Sequence, residues 1–121
     1  MSENIYLVIK LSDHKDGKID PLPFGDYDAL KKRAEGQWRL TLKTMARSDK
    51  ALALYHGKVV AEYLISDEFK LNRENGRITL HLIDPKKKDP TFKSKYVGRT
   101  LDYPTSNPIT VLNTKDIKYK D

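Results

Sequence analysis

The chain has 121 residues, of which 38% are hydrophobic and 33% charged, and a net charge of +6, which fits one domain with a modest core and leaves no room for two. The absence of cysteine excludes disulfides, thiolate nucleophiles and cysteine metal sites. The longest apolar clusters, residues 51–55 and 59–65, fall far short of the roughly 20 residues that span a bilayer, so no membrane segment is expected.

The start, Met1-Ser2-Glu3-Asn4, is acidic and polar where a secretory signal is basic and then apolar, which points to the cytoplasm. Ile5-Tyr6-Leu7-Val8-Ile9 is rich in β-branched and aromatic residues and gives way to the polar stretch 12–20, predicting a buried first strand. Pro21 and Pro23 keep the chain extended up to Asp26, whose carboxylate suits the N-cap of a helix predicted from Tyr27 to about Glu35. Gly36 follows as a terminating glycine, and Lys31, Lys32 and Arg33 stand where the helix dipole favours cations. Residues 37–43 alternate, with Trp38, Leu40 and Leu42 on one side and Arg39, Thr41 and Lys43 on the other, predicting a strand with one core face and one basic face. Residues 44–50 suit a single helical turn.

Residues 51–55 and 59–65 flank His56-Gly57, predicting a β-hairpin whose turn uses the positive φ that glycine and, less often, histidine tolerates. The segment 66–76 is polar and reads as a loop, with Asn75-Gly76 turning into a strand over 77–83 whose Ile78, Leu80 and Leu82 face inward. Asp84-Pro85 ends that strand, and the lysine-rich stretch to Lys88 is expected as an exposed loop before a helical turn around 92–96. Residues 104–108 read as extended and 109–112 as the last strand. The ordered core is expected over about 4–113, with a charged tail over 114–121 that frays. Several strands, one principal helix and no βαβ alternation predict a single α+β domain on a strongly bent mixed or antiparallel sheet, a partly closed barrel being one form of it.

Charge is unevenly distributed. Between Lys31 and Lys50 seven cations face two carboxylates, and between Asp84 and Thr100 six face two. Such segments make a footprint for a polyanion if folding brings them to one face, and a solvated surface if it does not. His14, His56 and His81 fall in a loop, a turn and a strand without metal-ligand spacing. The cluster Asp13, Asp16, Asp20, Asp26 and Asp28 lacks the downstream glutamate of a cation loop. No metal or cofactor is expected. A metal-dependent nuclease would draw on Asp67, Glu68 or Glu74 with Lys70, but the expected loop lacks the strand-borne spacing such sites use. No nucleophile elbow, phosphate loop or dinucleotide fingerprint is present, and no catalytic residue is assigned.

Aromatic residues beside cations are better candidates, because bases stack on them. Trp38 lies beside Arg39, Tyr55 beside His56 and Lys58, and Tyr96 between Lys95 and Arg99. Trp38, in phase with Leu40 and Leu42, has a core reading as well as a stacking one; Tyr96 is expected to be exposed.

Gly36-Gln37-Trp38-Arg39-Leu40, Ala51-Leu52-Ala53-Leu54-Tyr55-His56-Gly57-Lys58-Val59-Val60, Tyr96-Val97-Gly98-Arg99 and Asn107-Pro108-Ile109 form an ordered pattern. It resembles small bacterial and phage domains, some of them neighbouring GIY-YIG-type nuclease domains, whose hairpin is similar to that of PUA-like modules. The resemblance implies a PUA-like fold and a non-catalytic accessory module that binds nucleic acid.

Two hypotheses of different class follow. In the first, the protein binds DNA or RNA: Lys86, Lys87, Lys88, Lys93, Lys95 and Arg99 hold phosphates, while Trp38, Arg39, Lys43, Tyr55 and Tyr96 contribute the reading surface. A cleft is expected near Trp38, Arg39, Tyr55 and Tyr96. In the second, it is a protein-interaction factor, such as a phage-encoded inhibitor that occludes a host defence enzyme, with the same basic surface turned toward an acidic partner.

Overall fold

The structure, a computed structural model, describes residues 5–15, 18–19, 21–103 and 108–120. The expectations for Met1 to Asn4, Asp16, Asp20 and residues 104–107 lie outside the described residues. In chain order the elements are β1 (Ile5–Lys10), β2 (His14–Lys15), β3 (Lys18–Ile19), α1 (Tyr27–Glu35), α2 (Leu42–Met45), β4 (Lys50–Tyr55), β5 (Lys58–Leu71), β6 (Ile78–Ile83), α3 (Pro85–Lys88), β7 (Ile109–Asn113) and a 3-10 turn (Thr114–Asp116). β2 and β3 pair with each other, and five strands form one mixed sheet in the order β6-β5-β4-β1-β7. The sheet is not closed into a barrel: β6 and β7 are its two edges. β1 is parallel to β4, and the other neighbours are antiparallel. A parallel pair needs a crossover, which the segment carrying α1 and α2 supplies. This single crossover has no periodic signature, because between α1 and β4 residues 37–49 form only the isolated bridge at Trp38 and the one-turn α2.

The continuous apolar runs of β1 and β4 reflect burial on both faces. Leu7, Ile9, Ala51 and Ala53 enter a first core with Leu30 and Ala34 of α1. Tyr6, Val8, Leu52 and Leu54 enter a second core with Tyr96, Leu101 and Leu112. α1 has the expected bounds. Its Asp26 side chain accepts from the Ala29 N–H at 3.1 Å, satisfying one of the four orphan donors of the first turn. At its end Gly36 has φ 51°, and a Cβ there would stand 2.4 Å from the Trp38 indole, so both the backbone and the space demand glycine.

Residues 37–43 do not form the predicted strand. Only Trp38 pairs, exchanging two 2.9 Å backbone hydrogen bonds with Ile78. Farther along the edge of β6, the Leu82 N–H donates to the Glu35 carboxylate at 2.9 Å and its carbonyl accepts from Lys31 Nζ at 3.3 Å. These side chains occupy backbone groups of β6 that another strand would need, an arrangement that also blunts an edge against aggregation. Thr41 instead caps α2 by accepting from the Thr44 N–H at 3.1 Å.

The hairpin of β4 and β5 turns at His56 (φ 50°) and Gly57 (φ 85°), as expected. β5 then runs on to Leu71, so residues 66–71 are strand and not the expected loop. Their polarity reflects exposure, and the ladder to β6 holds them through Phe69↔Leu80, Lys70↔Thr79 and Leu71↔Ile78 after an irregularity that follows Ile65. The lysine stretch after β6 is also structured: the Asp84 side chain accepts from the Lys86 N–H at 3.0 Å and Pro85 opens a short helix. Residues 92–96 form no helical turn. No helix among the described residues is long and apolar enough to cross a membrane.

The tail is held where the sequence predicts fraying. Ile117 packs against the second core, the Asp102 N–H donates to the Lys118 carbonyl at 2.7 Å, and the Lys120 N–H to the Thr100 carbonyl at 2.9 Å. An apolar anchor within a charged stretch is enough to dock it.

Candidate nucleic-acid interface

The expected cleft near Trp38, Arg39, Tyr55 and Tyr96 does not assemble. Trp38 is half-buried against the first core, and its Nε1–H donates to the Ala34 carbonyl at 2.9 Å. It sits opposite Ile78, which pairs with Leu71 at the far end of β5, whereas Tyr55 pairs with Lys58 at the start of that strand. The Tyr55 hydroxyl donates to the Asp13 carboxylate, and its ring meets those of Phe24 and His56 at 5.1 and 4.2 Å. That hydrogen bond, with a second from the Leu22 N–H, holds Asp13 below the usual carboxylate range. Arg39 and Lys43 are exposed, Lys43 on α2 and not on a basic strand face.

Tyr96 is not on the surface where the sequence places it, but buried, 4% exposed. Its ring meets Tyr6 edge-on at 5.4 Å in the second core, because the strap formed by residues 92–103 must turn some apolar groups inward to cover that face of the sheet. Lys95 and Arg99 stay exposed on either side, and the Lys95 ammonium lies 5.4 Å from the Tyr96 ring.

The strap is fastened by backbone hydrogen bonds. The Val59 N–H donates to the Arg99 carbonyl, the Gly98 N–H to the Val59 carbonyl and the Leu101 N–H to the Gly57 carbonyl, each at 2.9 Å. From beneath, the buried Glu62 carboxylate accepts from Ser94 Oγ at 2.6 Å and from the Tyr6 hydroxyl at 3.2 Å. Burial, and then the neighbouring Glu62 charge, push the Tyr6 phenol far above its ordinary value. Across the outside, the Arg99 guanidinium stacks 3.9 Å from the Tyr119 ring.

This arrangement redistributes the charge. The two basic segments are largely separated, since α1 covers the first core and the strap covers the second; of the first segment, Lys50 reaches the second side, 5.9 Å from the Tyr6 ring. The docked tail joins the strap instead. Residues 84–102, residues 114–120 and Lys58, which pairs with Thr100, hold ten cations against four carboxylates. Their surplus equals the +6 of the whole chain; the rest nets to zero because carboxylates elsewhere offset the seven cations between Lys31 and Lys50.

At one border of this layer, between the start of α1, α3 and the strap, a cleft of about 510 Å³ opens, with Tyr27, Phe92, Ser94, Lys86 and Lys93 among its walls. Here two aromatic rings meet cations, the combination sought around Trp38 and Tyr55. Tyr27 is 43% exposed, and burial and Asp84 push its phenol up to about 12. Neither Tyr27 nor Phe92 stands out in the sequence. The signal available was Phe92 among the lysines of 86–95, but only the approach of α1 to α3 reveals Tyr27 as its neighbour.

Asp67, Glu68 and Lys70 lie on β5, not in a loop, and Glu74 lies in the turn that follows. Among the described residues no three His, Asp or Glu side chains gather as a metal site. Compared with protein-family models, curated proteins and solved structures, the chain matches none of them.

Proposed function

We propose that this protein is a non-catalytic, cytoplasmic nucleic-acid-binding module whose ligand runs across the strap and docked tail. The observation that carries this reading is the concentration of the chain's cationic surplus on that one layer, beside a cleft with aromatic walls. Lys86, Lys87, Lys88, Lys93, Lys95 and Arg99 hold phosphates together with Lys118 and Lys120, and an unpaired base enters between Tyr27 and Phe92. Phosphate contacts set position and the cleft reads the base. The resemblance to PUA-like modules points to the same ligand class.

Titration of fluorescent DNA and RNA oligonucleotides at several salt concentrations tests the reading, because each neutralised phosphate releases condensed counterions. Lys93→Ala with Lys95→Ala should flatten the dependence of log affinity on log salt by about one for each phosphate no longer neutralised, while Lys32→Ala with Lys43→Ala leaves it unchanged. Phe92→Ala should weaken single-strand binding by about 1–3 kcal/mol, the worth of one stacked base. A flat salt response overturns the proposal. A stoichiometric protein partner that survives nuclease treatment would favour occlusion of an acidic protein by the same layer.

A further inference from the structure

β5 outruns its neighbour. Its pairing with β4 ends at Leu64↔Lys50, with one further rung from the Ile65 N–H to the Asp49 carbonyl at 2.8 Å, whereas β5 continues to Leu71 against β6 alone. On β6, Ile78 gives both backbone groups to Trp38 on the outer side. Ile78 and Leu71 therefore form a pair without mutual hydrogen bonds, which turns the N–H and C=O of Leu71 toward the vacated side of β5, and by alternation those of Phe69 as well. Neither has a partner among the described residues. Beside this edge a cleft of about 680 Å³ lies open, bordered by Leu42, Met45, Ile65 and Phe69. Apolar surface accompanies it: Phe69 is 39% exposed, Leu71 52% and Leu42 60%.

We propose that this edge docks on the same edge of a second copy of the chain, antiparallel, about a two-fold axis at Phe69. Charge complementarity selects both occupant and register. With Phe69 opposite itself, Glu68 stands opposite the partner's Lys70, and symmetry repeats the pair. These positions form the closer, non-hydrogen-bonded rung, where opposite charges stabilise and like charges destabilise. Centring on Glu68, Lys70 or Asp67 sets like charges face to face, and centring on Leu71 sets Glu68 opposite the partner's Glu74. The Glu68 carboxylate lies 3.8 Å from His81 Nδ1 within its own chain, yet its side chain is 86% exposed and open to a second charge. Phe69 and Leu71, opposite the core residues Leu80 and Ile78, bring apolar side chains to the axis on the other face.

The full chain tests this directly. Sedimentation equilibrium should show a reversible dimer. Glu68→Lys and Lys70→Glu should each raise its dissociation constant roughly tenfold or more, since each sets two like-charge pairs opposite one another. An equimolar mixture of the two variants should recover the dimer as a heterodimer. Because the chain has no cysteine, Phe69→Cys introduces a single thiol that meets its own copy at about 5.5 Å between Cα atoms, within disulfide range. Under mild oxidation it should cross-link much faster than Leu71→Cys, which faces the partner's Asp67. Cross-linking of Phe69→Cys no faster than Leu71→Cys, or single charge reversals that leave association unchanged, would overturn the proposal.

Discussion

The two faces of the sheet are closed by different means. Over the first lies α1, nine residues long and capped at both ends, whose backbone bonds largely to itself. Over the second lies the strap, with no helix between residues 92 and 103, whose backbone groups must find partners elsewhere. They find them in the first residues of β5 and in the tail. A helix needs an apolar stripe to dock, whereas irregular chain needs donors and acceptors in register with it. Once those few bonds and the inward residues Tyr96 and Leu101 hold the strap, its outer positions are free of periodicity and can be loaded with lysine.

Removing one anchor from each cover sharpens this contrast. Tyr96→Ala should cost about 3–5 kcal/mol, the range for deleting a buried aromatic ring, read as a lowered urea midpoint. A loss below about 1 kcal/mol, well under that range, would mean that the strap is no part of the cooperative core. Asp26→Ala on the first side should cost only about 1 kcal/mol, because one cap is removed while the helix keeps its apolar stripe. The smallest effect concerns acid. Because the folded state lowers the pKa of Asp13, its carboxylate stabilises the fold above the ordinary carboxylate range, and that stabilisation disappears as pH falls through the lowered value. Tyr55→Phe removes the largest cause of the shift. Its deficit against the parent chain should therefore be present at neutral pH and shrink in acid, and a deficit independent of pH would locate the stabilisation elsewhere.

What was legible in the sequence was local. α1 shows its cap, apolar spacing and terminating glycine within about a dozen residues, and the hairpin shows His56-Gly57 between two apolar runs. Residues 37–43 alternate like a strand, but whether such a segment pairs depends on an edge, and Glu35 and Lys31 occupy part of that edge from a helix. The polar residues 66–71 reveal no burial because little is buried there; their strand is imposed by the β6 ladder. Tyr96 reads as exposed because its flanking cations suggest it, while an irregular strap has no period from which its inward positions can be read. The lysines of the candidate site are visible in the sequence, but Tyr27 joins Phe92 only through the packing of distant segments.

The tryptophan beneath Gly36 has an optical consequence. It is the chain's single indole, wedged against the helix end with its N–H bonded to Ala34, so the red-edge emission of the whole molecule originates at the junction of α1 and β6. The strap and tail carry Phe92 and three tyrosines but no indole. Fluorescence excited at the red edge will follow detachment of the helix and remain largely blind to the layer that holds the lysines, and the agreement or disagreement of its transition with far-ultraviolet circular dichroism measures whether the two covers come off together.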